Sequence, residues 1–245
     1  NPARRCHINT AQRPVILAGH GIILAGAHDE LRTLAERGQI PISTTLLGIG
    51  SIPESHPLNL RMMGMHGEAF VNEAIQNADL LIALGMRFDD RVTGNLATYA
   101  QHADVIHVDI DPAEIGKNVT ADLGIVGDVK QVLAQLLPLV EPRDRSAWFS
   151  QIEAWRNDTT ARDILSGTAC DGAPHVPFVI DAIHRATRGA PALMVTDVGQ
   201  HQMWVAQYYR HERPNQLLTS GGLGAMGYGI PAAIGAQFAR RDEEV

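Results

Sequence analysis

The sequence is poor in cysteine and in aromatic residues, and it has no long apolar run. Its two cysteines, Cys6 and Cys170, are far apart and lack any spacing typical of metal ligands, which fits a reducing compartment. No stretch approaches the ~18 apolar residues of a membrane span, and no secretory signal is visible. We therefore expect a cytoplasmic protein with no membrane partner.

Positive charge is also scarce. The chain has 20 lysines and arginines against 27 aspartates and glutamates, a net charge of −7 with no block of like charges. This balance argues against a nucleic acid or an anionic membrane as partner. The 245 residues, 45% of them hydrophobic, are enough for one or two ordinary globular domains.

Short apolar runs alternate with amphipathic helical patterns over the first 140 residues. The apolar runs, which we interpret as strands, are residues 14–19, 40–45, 79–85 and 105–111. The helical patterns are residues 29–38, 68–78 and 128–140. This alternation predicts an α/β fold with an open parallel sheet in a first domain at 1–142.

A charged, proline-broken segment follows the first domain. We interpret residues 143–172 as a linker and residues 173–245 as the beginning of a second α/β domain. In parallel sheets, ligands bind beyond the carboxyl ends of the strands. Polar or glycine-rich clusters follow the predicted strands at residues 19–21, 44–45, 85–91, 109–111, 127–128 and 199–202. An acidic residue at such a position commonly binds a ribose hydroxyl, which makes Asp109 and Asp128 candidates.

Glycine is concentrated near the end of the chain, with five glycines between residues 221 and 229. A helical pattern of Ile230, Ala233, Ile234 and Phe238 follows. A glycine-rich loop before a helix suits a phosphate ligand, because unpaired N–H groups point at it. The alternative is a tight turn that packs a helix against a strand. Gly19 and Gly21 are a weaker nucleotide signal, because the third glycine of a dinucleotide fingerprint is missing.

Four blocks together, at residues 61–94, 107–118, 197–204 and 220–237, resemble one family. They are similar to the catalytic subunits of acetohydroxyacid synthase, also called acetolactate synthase, among the thiamine-diphosphate enzymes. The resemblance implies a central FAD-binding domain at 1–142 and a truncated thiamine-diphosphate-binding domain at 173–245. No Gly-Asp-Gly occurs in the chain, so the resemblance places the Mg²⁺ ligands beyond Val245. It therefore implies a fragment that is inactive alone.

The family's reaction would begin the synthesis of valine, leucine and isoleucine. Pyruvate is decarboxylated on thiamine diphosphate, and the two-carbon unit is condensed with a second pyruvate or with 2-oxobutyrate. FAD is largely structural in this family. The resemblance also implies a homodimer or homotetramer, with or without a regulatory subunit.

The resemblance assigns roles to individual residues. Met226 would support the thiamine, and Arg91 would bind the carboxylate of the second ketoacid; these two are the residues assigned to catalysis. The thiamine-diphosphate contacts would be Gly199, Gln200, His201, Gly224 and Met226, and the flavin contacts Met65, His66, Arg87, Asp89, Gln202 and Met203. Leu47 departs from the family, where we expect glutamine.

Each assignment has an alternative that involves no ligand. Met226 would fill a core, His201 would be an ordinary loop histidine, and Arg91 would belong to a surface ion-pair cluster. Met65 and His66 would form a turn that initiates a helix. For the whole chain, the alternatives are another thiamine-diphosphate enzyme, of the glyoxylate carboligase, oxalyl-CoA decarboxylase or pyruvate oxidase type, and a non-catalytic nucleotide-binding module.

Overall fold

The computed structural model describes residues 7–160 and 172–245, with side chains described to residue 158 in the first range. Cys6 and Cys170 lie outside the described residues, as does part of the expected linker. The described chain is a mixed α/β structure with one large parallel sheet and one small one. The fold class expected from the sequence is confirmed.

The large sheet has six parallel strands in the order β3-β2-β1-β4-β5-β6. The strands are β1 (Pro14–Ala18), β2 (Ile42–Thr44), β3 (Asn59–Met62), β4 (Leu80–Leu84), β5 (Asp104–Asp109) and β6 (Leu123–Val126). From β1 the chain adds β2 and β3 on one side of the sheet and then β4, β5 and β6 on the other, so the switch point lies between β1 and β4. A ligand cleft is expected outside the carboxyl ends of these two strands, since loops diverge there to opposite faces.

Helices cover both faces of this sheet. They are α1 (His7–Thr10), α2 (His20–Leu24), α3 (His28–Gly38), α4 (Ala69–Gln76), α5 (Asp90–Thr93), α6 (Val129–Leu136) and α7 (Ser146–Thr160). Because successive strand side chains point to opposite faces, Ile16 packs with α3 and α6, while Leu17 packs with α4 and α7. Every residue of β1 and β4 is buried, as expected for central parallel strands.

Helix α7 differs from the expected linker that begins at residue 143. Ile152 is fully buried in the first domain, and the Trp148 Nε1–H donates to the Pro14 carbonyl at 3.2 Å. The Arg145 guanidinium donates to the Ile8 carbonyl at 2.6 Å. The segment from 145 to 152 is therefore packed on the domain that it was expected to leave.

The remaining elements are α8 (Val176–Thr187), β7 (Met194–Val195), α9 (Gln200–Tyr208), β8 (Leu217–Leu218) and α10 (Gly229–Ala239). Strands β7 and β8 form a parallel pair. In α10 the predicted apolar face is exposed, with Ile230 at 77% and Phe238 at 73%. The helical period of this segment was predicted correctly, but no described residue covers that face.

Candidate functional site

One cleft of about 1040 Å³ lies at the carboxyl ends of the large-sheet strands. Its walls are the segments that follow the six strands of the large sheet, together with the start of α9 at residues 198–203 and the loop at residues 220–224. Ligand pockets usually measure roughly 300–1,000 Å³, so this cleft has room for a large ligand. Its position matches the switch point between β1 and β4.

Glycines make the close approach of two strand ends possible. A Cβ on Gly19 would lie 2.1 Å from the Gly85 carbonyl oxygen, and a Cβ on Gly21 would lie 2.7 Å from the Gly85 Cα. The Gly21 N–H donates to the Gly85 carbonyl at 3.1 Å. Gly85 itself has φ +60°, which favours glycine. These contacts leave a shallow floor of backbone atoms at the centre of the cleft.

Acidic side chains border the cleft beyond β5 and β6. The Asp109 carboxylate accepts the Asp111 N–H at 2.9 Å. The Asp128 carboxylate caps α6 by accepting the Gln131 N–H at 3.0 Å. Each aspartate is thereby held at a strand end, where an acceptor for a ribose hydroxyl is expected.

The two arginines after β4 differ in their partners. Arg87 lies 3.5 Å from the Asp89 carboxylate, and Asp89 caps α5 through the Arg91 and Val92 N–H groups. Arg91 lines the cleft, and its guanidinium forms no ion pair with any described residue. Its Nη1 contacts the Met65 sulfur at 3.9 Å. The expected ion-pair cluster therefore holds Arg87 and leaves the Arg91 charge free for a ligand.

Helix α9 brings the second part of the chain to the cleft. It begins after Gly199, whose φ of +144° favours glycine. The buried Gln202 donates through Nε2 to the Thr219 hydroxyl at 2.6 Å. Further along, Gln207 Nε2 donates to the His66 carbonyl at 2.6 Å. The loop that contains His66 is thus bound to the helix that contains Gln202.

The glycine-rich loop projects beside the cleft. Met226 is 85% exposed, which excludes a core-filling role within the described residues. Two amides at the start of α10, those of Gly227 and Gly229, donate to the Asp197 carboxylate. These two N–H groups already donate to an aspartate. A phosphate at this helix N-terminus, as the sequence predicts, would therefore have to accept hydrogen bonds from other N–H groups.

Comparison with known proteins assigns the chain to a family. Residues 6–136 match the family described as thiamine pyrophosphate enzyme, central domain. Residues 197–245 match the thiamine pyrophosphate enzyme C-terminal TPP-binding domain. The chain belongs to the thiamine pyrophosphate enzymes. The resemblance drawn from the sequence blocks is confirmed.

Individual relatives are acetolactate synthases. The chain is 47% identical over 244 residues to the acetolactate synthase large subunit of Parasynechococcus marenigrum, covering 97% of this chain and 38% of that protein. It is 47% identical over 238 residues to the isozyme 1 large subunit of Escherichia coli, covering 97% and 41%. For the probable large subunit of Methanocaldococcus jannaschii the identity is 45% over 237 residues, covering 95% and 40%. The chain spans about two fifths of the length of these relatives.

Most of the predicted site residues of this thiamine pyrophosphate enzyme meet in the cleft. Those that line it are Gly21, His66, Arg87, Asp89, Arg91, Asp109, Asp128, Gly199, Gln200, Gln202, Met203 and Gly224. Four do not line it: Gly19 lies beneath the floor, and Met65, His201 and Met226 lie outside its walls. Their assigned roles stay predictions.

Several lining residues had no role in the sequence-based assignment. His20 and Thr45 follow β1 and β2, and they belong to the polar or glycine-rich clusters at residues 19–21 and 44–45. Leu46 and Leu47 pack against Gly221, where a Cβ would lie 2.8 Å from the Leu47 side chain. Leu47, the departure from the family, thus forms an apolar contact between the two parts of the chain.

A second polar cluster joins the two parts of the chain away from the cleft. The Glu54 side chain is only 2% exposed, and its Oε2 lies 3.8 Å from Arg210 Nη1. The two residues are joined twice: the Glu54 N–H donates to the His211 carbonyl at 3.0 Å, and the His211 N–H approaches the side-chain Oε2 of Glu54 at 3.4 Å. Ser55 donates to the Glu212 carboxylate at 2.5 Å. No sequence signal pointed to this cluster.

The pKa values of the two buried ionisable groups in this cluster, Glu54 and His211, are strongly shifted. Burial raises the pKa of Glu54 to about 7, opposed by the charges of Arg210 and Arg61. Burial lowers the pKa of His211 to about 3, with the nearby charges of His184 and Arg210 acting in the same direction. Glu54 Oε1 and both His211 ring nitrogens have no partner among the described residues. The interface thus buries polar groups at a cost that depends on pH.

The described residues contain neither a cluster of metal ligands nor a membrane-spanning helix. No group of three or more histidine, cysteine, aspartate or glutamate side chains is placed there to hold a metal ion. None of the helices in that part of the chain is both long enough and apolar enough to cross a membrane.

Proposed function

We propose that this chain is part of an acetolactate synthase, which decarboxylates pyruvate and condenses the two-carbon unit with a second 2-ketoacid. The observation that carries the proposal is the cleft itself. It brings together residues from all four blocks of the family resemblance, which are separated by up to about 170 residues in sequence. The family match and the named large subunits support the same reaction.

FAD is the ligand that we propose for the large-sheet side of the cleft. The backbones of Gly21 and Gly85 pack directly against each other, so neither residue places a side chain between this floor and a ligand. Asp109 and Asp128 supply acceptors for ribose or adenosine, and Arg87 supplies a cation for the pyrophosphate. His66, Gln202 and Met203 would contact the flavin.

Thiamine diphosphate would bind between the Gly199–His201 turn and the loop around Gly224 and Met226. When bound, this cofactor supplies the carbon that makes decarboxylation of a 2-ketoacid feasible. The chain's own residues bind and orient: Gly224, with φ +63°, allows close approach, and Gln200 donates hydrogen bonds to an anion. Mg²⁺ does not fit the described residues, so we assign no step of the reaction to a metal here.

Arg91 is the residue that we propose binds the second ketoacid. Arg91 lines the cleft, and no described carboxylate neutralises its guanidinium. A planar guanidinium matches a carboxylate in two hydrogen bonds, which suits pyruvate or 2-oxobutyrate. Only condensation requires this contact, because decarboxylation involves one ketoacid.

The remaining proposals concern the domain boundaries, the compartment and the oligomeric state. We place the central domain at 1–142 and extend it through the packed part of α7, with the thiamine-diphosphate domain beginning near 173. The family ranges 6–136 and 197–245 support this division. The resemblance favours a cytoplasmic homodimer or homotetramer, with or without a regulatory subunit. The names of the relatives, which are large subunits, support a smaller partner.

The test separates the two half-reactions in the complete protein. Arg91→Ala should reduce acetolactate formation far more than CO₂ release from the first pyruvate, by roughly 2–5 kcal/mol of lost charge pairing. Arg37→Ala, on the exposed face of α3, is the matched control and should change neither. Equal loss of both steps would refute the role of Arg91. A product other than acetolactate would favour the glyoxylate carboligase or pyruvate oxidase alternative.

A further inference from the structure

The glycine-rich loop is tied down on both sides of Met226. The Ala225 N–H donates to the Ser220 hydroxyl at 2.9 Å, and the Gly227 N–H donates to Asp197 Oδ1 at 3.0 Å. The Met226 side chain, being 85% exposed, does not hold itself in place by packing within the described residues. Its position therefore depends on these two backbone anchors.

Asp197 forms the larger of the two anchors. Its Oδ1 also accepts the Val198 N–H at 2.7 Å, and its Oδ2 accepts the Gly229 N–H at 2.9 Å. The donors Gly229, Val198 and Gly227 lower the pKa of Asp197, so the carboxylate is ionised at neutral pH. One anion thus joins the end of β7, the loop and the first residue of α10, whose N-terminus favours negative charge.

Gly229 packs closely against Asp197. A Cβ on Gly229 would lie 3.0 Å from the Asp197 nitrogen and 3.1 Å from its Cβ. Gly235, in the middle of the same helix, has open space at the corresponding position. Gly224 and Gly227 have φ values of +63° and +85°, so the loop has a specific shape that other residues rarely adopt.

We propose that Asp197 is a positioning residue that holds the Met226 loop in the shape that binds the thiamine ring. This inference rests on the proposed function, in which Met226 supports that cofactor. An asparagine at 197 would keep one acceptor oxygen, but its NH₂ would face an N–H donor. A lost helix cap changes a local equilibrium roughly 2- to 30-fold.

The test uses three variants of the complete protein. Asp197→Asn replaces one of the two acceptor oxygens of the anchor by an NH₂ group, Gly229→Ala crowds the contact between α10 and Asp197, and Gly235→Ala is the matched control. Hydrogen exchange of residues 221–232 is first measured without ligand. We expect exchange roughly 2- to 30-fold faster in Asp197→Asn and Gly229→Ala. In Gly235→Ala it should not become faster, because alanine favours the interior of a helix. Unchanged exchange in both test variants would overturn the proposal.

The same proteins are then titrated with thiamine diphosphate in the presence of Mg²⁺ and assayed with pyruvate. We expect weaker cofactor binding in both test variants, and a kcat that stays lower at saturating cofactor while KM for pyruvate changes little. Faster exchange with an unchanged Kd and kcat would show a purely structural role and would overturn the proposal. A wild-type protein that does not bind thiamine diphosphate would refute the proposed function and this role with it. That result is distinguishable because it appears without any substitution.

Discussion

Replacing the buried Glu54 by glutamine should change the pH dependence of stability in a calculable way. Glutamine has nearly the same shape and keeps an acceptor for the His211 N–H, but it does not ionise. The pKa of Glu54 is raised from its ordinary value of 4.5 to about 7 by burial. The wild type is therefore most stable, as far as this group is concerned, at low pH, where the carboxyl is neutral in both states.

The magnitude follows from linkage. As the pH rises above 4.5, the unfolded chain loses the Glu54 proton while the folded chain keeps it, so stability falls until the folded group ionises near pH 7. At about 1.4 kcal/mol per pKa unit, the wild type should lose about 3 kcal/mol between pH 4.5 and pH 8. Glu54→Gln lacks this loss. Its unfolding free energy relative to wild type should rise by the same amount over that interval.

The assay is urea unfolding followed by tryptophan fluorescence at both pH values. His211 and the facing charges of Arg210, Arg61 and Glu212 are present in both proteins, so the comparison isolates residue 54. Glu73→Gln, on the exposed face of α4, is the control and should differ little from wild type. A difference between Glu54→Gln and wild type that does not vary with pH would refute the reasoning.

Three other outcomes are expected. Gly21→Ala should destabilise the fold by roughly 1–3 kcal/mol and weaken FAD binding, measured by flavin fluorescence, because its Cβ would overlap Gly85; FAD binding equal to wild type would contradict the backbone floor. Arg87→Ala should weaken FAD binding more than Arg91→Ala, and the reverse order in the same titration would contradict the assignment. Burial lowers the pKa of His211 to about 3. The contribution of neutral His211 to the free energy of unfolding should therefore be complete above pH 6.5 and decrease as the pH falls towards 3. His211→Gln should reduce this acid loss in unfolding experiments, and an unchanged loss would count against it.

The sheet and the cleft were predictable because their signals are local. The buried runs of β1 and β4 are continuous apolar stretches, and polar or glycine clusters follow them directly. Strands β3 and β6, at the two edges of the sheet, were not predicted. The partly exposed pattern of β6 lacks the continuous burial of a central strand. The charged segment before α7 predicts a boundary there, whereas Trp148 and Ile152 pack α7 on the large-sheet domain.

The contacts that organise the site are long-range, which is why the sequence did not reveal them. Asp197 and Gly229 are 32 residues apart, and Glu54 and His211 are 157 apart. A glycine that accommodates a carboxylate looks the same in sequence as a glycine that accommodates a phosphate. The glycine pattern predicts a phosphate at the start of α10, and this stays a prediction; the Gly227 and Gly229 N–H groups there donate to Asp197.

The central claim is tested most directly by the product formed from pyruvate. The complete protein is incubated with pyruvate labelled with ¹³C at C2, thiamine diphosphate, Mg²⁺ and FAD, and the products are identified by NMR. We expect acetolactate with two labelled carbons and one CO₂ per acetolactate, in an amount that depends on added thiamine diphosphate. Acetate, free acetaldehyde or unchanged pyruvate as the main species would contradict the account.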